Sequence, residues 1–160
     1  MAIRPAEFSD HAAIWVILEP VLRAGETYAL PADMPREAAL AYWTGPDRET
    51  FVFEEAGEIL GTYYIRPNQS GGGAHVANCG YITASHATGR GIARAMAEHS
   101  LVYAKAQGYT AMQFNFVIST NTGAIRLWER LGFETLCRLP AAFRHPREGL
   151  VDALLMFRKL

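Results

Sequence analysis

The chain has 160 residues, 50% of them hydrophobic and 19% charged, with a formal net charge of −1. That length fits one domain covering residues 1–160. The balanced charge leaves no basic surplus for a nucleic acid, and no apolar run approaches the length of a membrane span. Met1–Pro5 lacks a signal peptide's apolar core, and Cys79 and Cys137 stand far apart without metal-ligand spacing. The expectation is a cytoplasmic protein with reduced, packed thiols and no metal.

Ala2–Arg4 reads as a short first strand. Ser9 is placed to cap a helix to about Ala24, whose apolar face is Ile14, Val16, Ile17, Leu18, Val21 and Leu22. Pro20 inside it predicts a kink or break. After a loop opening at Gly25-Glu26-Thr27-Tyr28, Pro35–Trp43 forms a second helix with proline in its first turn. Thr50–Glu55 and Glu58–Ile65 are strands that meet at Ala56-Gly57, a hairpin signal. Asn68–Gly73 is a flexible glycine-rich loop.

His75–Thr83 reads as a central strand, followed by a helix over Ile92–Gln107 that Gly108 stops. Thr110–Ile118 is the next strand. Asn121 or Thr120 caps a helix through Leu131, which Gly132 ends, and Phe133–Leu139 and Leu150–Phe157 close the chain as strands. The order β-α-α-β-β-β-α-β-α-β-β describes an α/β (α+β) domain. Its mixed, mostly antiparallel sheet of about seven strands carries four helices on both faces, with one parallel crossover at its centre.

Thr88-Gly89-Arg90-Gly91-Ile92-Ala93, at the mouth of the third helix, is the most informative segment. A helix start exposes unpartnered N–H groups and a partial positive charge, and glycine lets an anion approach the backbone closely. That chemistry suits the pyrophosphate of a nucleotide-like cofactor. A dinucleotide-binding fingerprint would need a third glycine after the first strand, and a P-loop would need Gly-Lys-Ser/Thr; neither is present. Arg90 and Arg94 could add charge to the loop or simply face solvent.

With its glycine loop after the fourth strand, this order resembles the GCN5-related N-acetyltransferase (GNAT) superfamily. The family pattern Gln/Arg-x-x-Gly-x-Gly/Ala is met by Gly91 and Ala93, with Thr88 standing at its first position. A second match is Asn121-x-x-Ala124-x-x-Leu127-Trp128-Glu129-x-x-Gly132-Phe133, where relatives often carry tyrosine at the Trp128 position. Gly25–Tyr28, His75–Tyr81 and Phe114–Val117 are similar, more narrowly, to fungal N-acetyltransferases acting on L-azetidine-2-carboxylate and related proline analogues.

The resemblance implies that the fourth and fifth strands splay and that acetyl-CoA lies between them. Backbone groups of Tyr81 and Thr83, around Ile82, would meet the pantetheine, the amides of Thr88, Gly89, Arg90, Gly91, Ile92 and Ala93 the pyrophosphate, and Asn121 the cofactor. Asn78 and Asn115 would be the polar pair facing the acetyl group, Asn78 also touching substrate, with Thr27 and Tyr28 lining the acceptor pocket. An indole cannot release a proton near neutrality, so the usual acid is missing at Trp128, and the strand of Asn78 carries no carboxylate base. His75 and His86 remain as a strand-edge histidine and a neighbour of the phosphate loop.

The implied activity is acetyl transfer to the amine of a small amino acid or cyclic imino acid by direct attack in a ternary complex. A phosphinothricin-like primary-amine acetyltransferase and a non-catalytic acyl-CoA sensor are the alternatives. The resemblance leaves room for a homodimer.

Overall fold

The computed structural model describes all 160 residues. Its elements are β1 (Ala2–Pro5), α1 (His11–Ala24), α2 (Arg36–Trp43), β2 (Glu49–Glu55), β3 (Glu58–Pro67), β4 (Val76–Thr83), α3 (Ile92–Ala106), β5 (Ala111–Ile118), α4 (Thr122–Arg130), β6 (Glu134–His145) and β7 (Gly149–Lys159). One seven-stranded sheet runs β1-β2-β3-β4-β5-β7-β6. Every neighbouring pair is antiparallel except β4 and β5. This is the expected α+β order, with four helices.

Strand alternation assigns the two faces. On β3, Thr62 accepts a hydrogen bond from the Trp43 indole at 3.0 Å, which turns the even-numbered residues toward α2. Gly61 turns the other way, where a Cβ would meet Met96 of α3 at 2.9 Å. The buried residues of both layers form one continuous core, anchored by Ile14, Leu18, Trp43, Tyr63, Met96 and Met112.

Local chemistry redraws several boundaries. Ser9 does not cap α1. A short 3-10 turn over Phe8–Asp10 precedes it, and Glu7 and Asp10 form a reciprocal capping box. Asp10 outcompetes the serine hydroxyl because it is ionised and gripped by both terminal nitrogens of Arg4, at 2.7 and 3.0 Å. Nor does Pro20 break α1, which is continuous to Ala24. Pro20 and Val16 are both exposed, so the carbonyl that the proline leaves without a donor lies on the solvent side. The Ala56-Gly57 hairpin is present, both residues taking positive φ.

The closing strands are longer than expected, reaching His145 and starting again at Gly149. Pro140 is accommodated because β6 is an edge strand that shifts register twice against β7.

Candidate active site

The sheet is incomplete at its centre. β4 and β5 pair only at Val76–Ala111 and Ala77–Met112, and beyond those two rungs they diverge. On its other side β4 stays in register with β3, and the bonds Asn68 N–H to Val76 O and Ala84 N–H to Leu60 O fix which residues serve that ladder. By alternation the backbones of Val76, Asn78, Gly80 and Ile82 face β3, while those of Cys79, Tyr81 and Thr83 face the gap. Tyr81 and Thr83 thus turn their backbone groups to the gap. Ile82, between them, gives its backbone to β3 and brings its side chain to the cavity.

Two side chains work at this open edge. Tyr28, from the loop after α1, receives the Tyr81 N–H at 2.9 Å and donates its hydroxyl to the Tyr81 carbonyl at 3.0 Å. Burial pushes its phenol well above the usual tyrosine range, so it stays a donor. Asn78 stands at the fork itself. Its Nδ2 donates to the Gln113 carbonyl at 3.0 Å, replacing the first missing rung. Its Oδ1 accepts nothing within the chain.

A cavity of about 360 Å³ opens in the gap, lined by Thr27, Tyr28, Cys79, Gly80, Phe114, Asn121 and Trp128 among others. At Thr83 and Thr88 it meets a second hollow of about 240 Å³, walled by Gly89, Gly91, Ile92, Ala93 and Arg94. Gly89 and Gly91 both take φ near +80°, which glycine adopts without strain. The amides of Gly89, Arg90 and Gly91 donate to nothing in the chain, and the first free turn of α3 follows. Arg90 is tied to Glu55, and Arg94 to Glu98 at 2.8 Å, so neither guanidinium is free over the hollow.

The expected pair of asparagines is not a pair of equals. Asn115 is exposed, at a register irregularity of β5 between Phe114 and Val117, whereas Asn78 is buried; neither is among the residues that line the cavity. Asn115 receives Gln113 Nε2 at 2.8 Å and donates to Asn68 Oδ1 at 2.7 Å. The irregularity leaves Asn115 exposed, so of the two asparagines expected to face the acetyl group only Asn78 is buried. Asn121 caps α4 through Ala124 N–H at 3.4 Å while also lining the cavity. Trp128 is buried among Tyr81, Phe114 and Phe133, as a packing residue would be. His75 is exposed ahead of β4, and His86 is exposed and paired with Glu58 at 3.0 Å.

Cys79 touches the cavity, but burial pushes its thiol up to about 12, so it is no nucleophile at neutral pH. The sequence reading passed over Gly80 and Tyr64. A Cβ on Gly80 would lie 2.6 Å from the Tyr64 ring. A glycine inside a strand is the signal that marks such an approach.

Strand order, fork and glycine-rich helix start together define an acyl-CoA-dependent acyltransferase fold. Residues 14–133 match the sequence profile of the Acetyltransferase (GNAT) family, and the chain belongs to that family. It is accordingly an N-acetyltransferase that uses acetyl-CoA.

The chain is 30% identical over 151 residues to the N-acetyltransferase aca1 of Schizosaccharomyces pombe, across 84% of this chain and 72% of that protein. A GCN5-related N-acetyltransferase from Kribbella flavida superposes with a TM-score of 0.94 at 39% identity, over 99% of this chain and 97% of that one. The acetyltransferase yncA of Salmonella typhimurium, solved with acetyl-CoA, shares the fold at a TM-score of 0.87 and 22% identity. That superposition covers 100% of this chain and 94% of the other.

Proposed function

We propose that the protein transfers the acetyl group of acetyl-CoA to the amine of a small amino acid, with cyclic imino acids such as proline analogues as the favoured acceptors. The pantetheine lies along the open edge of β4, on the backbone groups of Tyr81 and Thr83, and displaces the Tyr28 hydroxyl from Tyr81. The pyrophosphate rests on the amides of residues 88–93, and Asn121 contacts the cofactor. Thr27 and Tyr28 border the acceptor.

The observation that carries this reading is Asn78: Nδ2 pinned to β5 and Oδ1 free at the fork. A fixed acceptor oxygen there holds the N–H of an incoming amine and aims its lone pair at the thioester carbon. The nitrogen attacks, the C–S bond breaks and CoA leaves as a thiolate, whose pKa of about 8–9 makes it a good leaving group. With no carboxylate among the cavity's lining residues, the amine's proton passes to water. A buried neutral amide with no carboxylate among the cavity's lining residues also suits a small amino acid better than a cationic peptide. The likeness of Gly25–Tyr28, His75–Tyr81 and Phe114–Val117 to azetidine-carboxylate acetyltransferases points the same way.

The test is thiol release from acetyl-CoA with azetidine-2-carboxylate, cis-4-hydroxyproline and a panel of primary amino acids, for wild type and Asn78→Ala. Turnover of the cyclic acids that falls at least a hundredfold in the variant, with acetyl-CoA still bound, is expected. Turnover of primary amines alone would replace the acceptor class. Silence on every amine, with acetyl-CoA bound, would leave an acyl-CoA sensor.

A further inference from the structure

On the α2 side of the sheet, the polar row that contains Asn78 continues across β3 to two arginines. Arg66 is the register partner of Asn78 and shares its face. Arg48, just before β2, lies with its guanidinium carbon 4.7 Å from the ring centroids of both Tyr42 and Tyr64. A single carboxylate serves both cations. Asp47 is taken up by Arg48 through two hydrogen bonds of 2.9 Å, which leaves Arg66 a longer contact of 3.5 Å. Arg66 Nε and Arg48 Nη1 are buried, and neither has a hydrogen-bond partner. A buried guanidinium N–H without an acceptor is costly, and here two occur side by side in a region with a surplus positive charge.

We propose that Arg66, backed by Arg48, is the seat of the acceptor's carboxylate. This rests on the amino-acid reading above and adds the residue that selects for the acid group. A planar carboxylate matches the guanidinium fork of Arg66, where the one carboxylate at hand, Asp47, is held by Arg48 and reaches Arg66 only at 3.5 Å. Arg66 is suited to the task because its side chain is 30% exposed, whereas that of Arg48 is 6% exposed and clamped between rings. An α-amino acid held by its carboxylate at Arg66 presents its nitrogen to Asn78 Oδ1, one residue before the open backbone of Cys79. Asn68 and Asn115, hydrogen-bonded to each other at the mouth, fence the polar end of that row.

The test compares azetidine-2-carboxylate with azetidine-2-carboxamide as acceptors for wild type, Arg66→Met and Arg66→Lys. The wild type is expected to prefer the acid. In Arg66→Met the KM for the acid rises at least tenfold, while the KM values for the carboxamide and for acetyl-CoA stay within twofold. Arg66→Lys recovers part of the preference. Unchanged carboxamide kinetics show that the variant is folded. An Arg66→Met enzyme that keeps the wild-type preference for the acid overturns the seat and leaves the acceptor class standing. A wild type that acetylates no amino acid overturns the acceptor class and the seat together, and that failure shows before any substitution is made.

Discussion

Asn78 and His99 carry their chemistry in single atoms. In the proposed reaction Asn78 Oδ1 would orient an amine but remove no proton, so the acceptor would have to arrive unprotonated. His99 Nδ1 shares a hydrogen bond of 2.7 Å with the Tyr63 hydroxyl, its ring stacks beside Tyr103, and burial holds its pKa below the ordinary histidine value. The unfolded chain therefore binds that proton more tightly than the folded one. Its contribution to stability is complete above the unfolded pKa of about 6.5 and is lost as pH falls through the lower folded value. Urea unfolding from pH 7.5 to 5 is expected to show stability falling with pH, and His99→Gln to flatten that slope; equal slopes would sink the assignment. At this scale the sequence was only partly readable. Asn78 is legible because a buried amide in an apolar strand needs a reason. Asn115 looks alike in sequence, and only the irregularity beside it turns it outward. Arg66 and Arg48 gave no signal, since 18 residues separate two side chains that strand register brings together.

At the scale of elements, the start of α3 is the most demanding piece of backbone near the site. Gly91 is its N-cap with φ at +80°, and nothing lies within 4 Å of where a Cβ would stand. Substitution is therefore penalised by backbone conformation and not by crowding. Gly91→Ala is expected to destabilise the fold by about 1 kcal/mol, lowering the melting temperature by roughly 2–4 °C, and to raise the KM for acetyl-CoA severalfold. A melting curve and a cofactor titration check both, and an unchanged KM would detach this turn from cofactor binding. Most elements follow from local pattern: the Ala56-Gly57 hairpin, the glycine stop at Gly108 and the asparagine cap at 121 are each decided within a few residues. The long β6–β7 pair is not. Its strands carry Pro140 and charged side chains, their register shifts twice, and only pairing with the rest of the sheet declares them. The tip of that hairpin reaches the loop after α1, where Arg147 meets Glu26 at 2.7 Å.

For the molecule as a whole, burial separates the two thiols that composition could not tell apart. Cys137 is exposed on the edge strand and Cys79 is buried at the fork. A thiol reagent should modify one cysteine per folded chain at once and the second only on unfolding or after long exposure; two rapid equivalents would mean that the fork breathes freely. The fork has one more consequence. Two strands joined by two rungs leave main-chain groups that the fold satisfies only in part, through Tyr28 and Asn78, so a ligand laid along the gap would complete the sheet. By mass action, a ligand present at a hundredfold its dissociation constant adds about 2.7 kcal/mol to the folded state. Saturating acetyl-CoA is therefore expected to raise the melting temperature and slow proteolysis of the chain, which a thermal melt and limited digestion with and without the ligand would check.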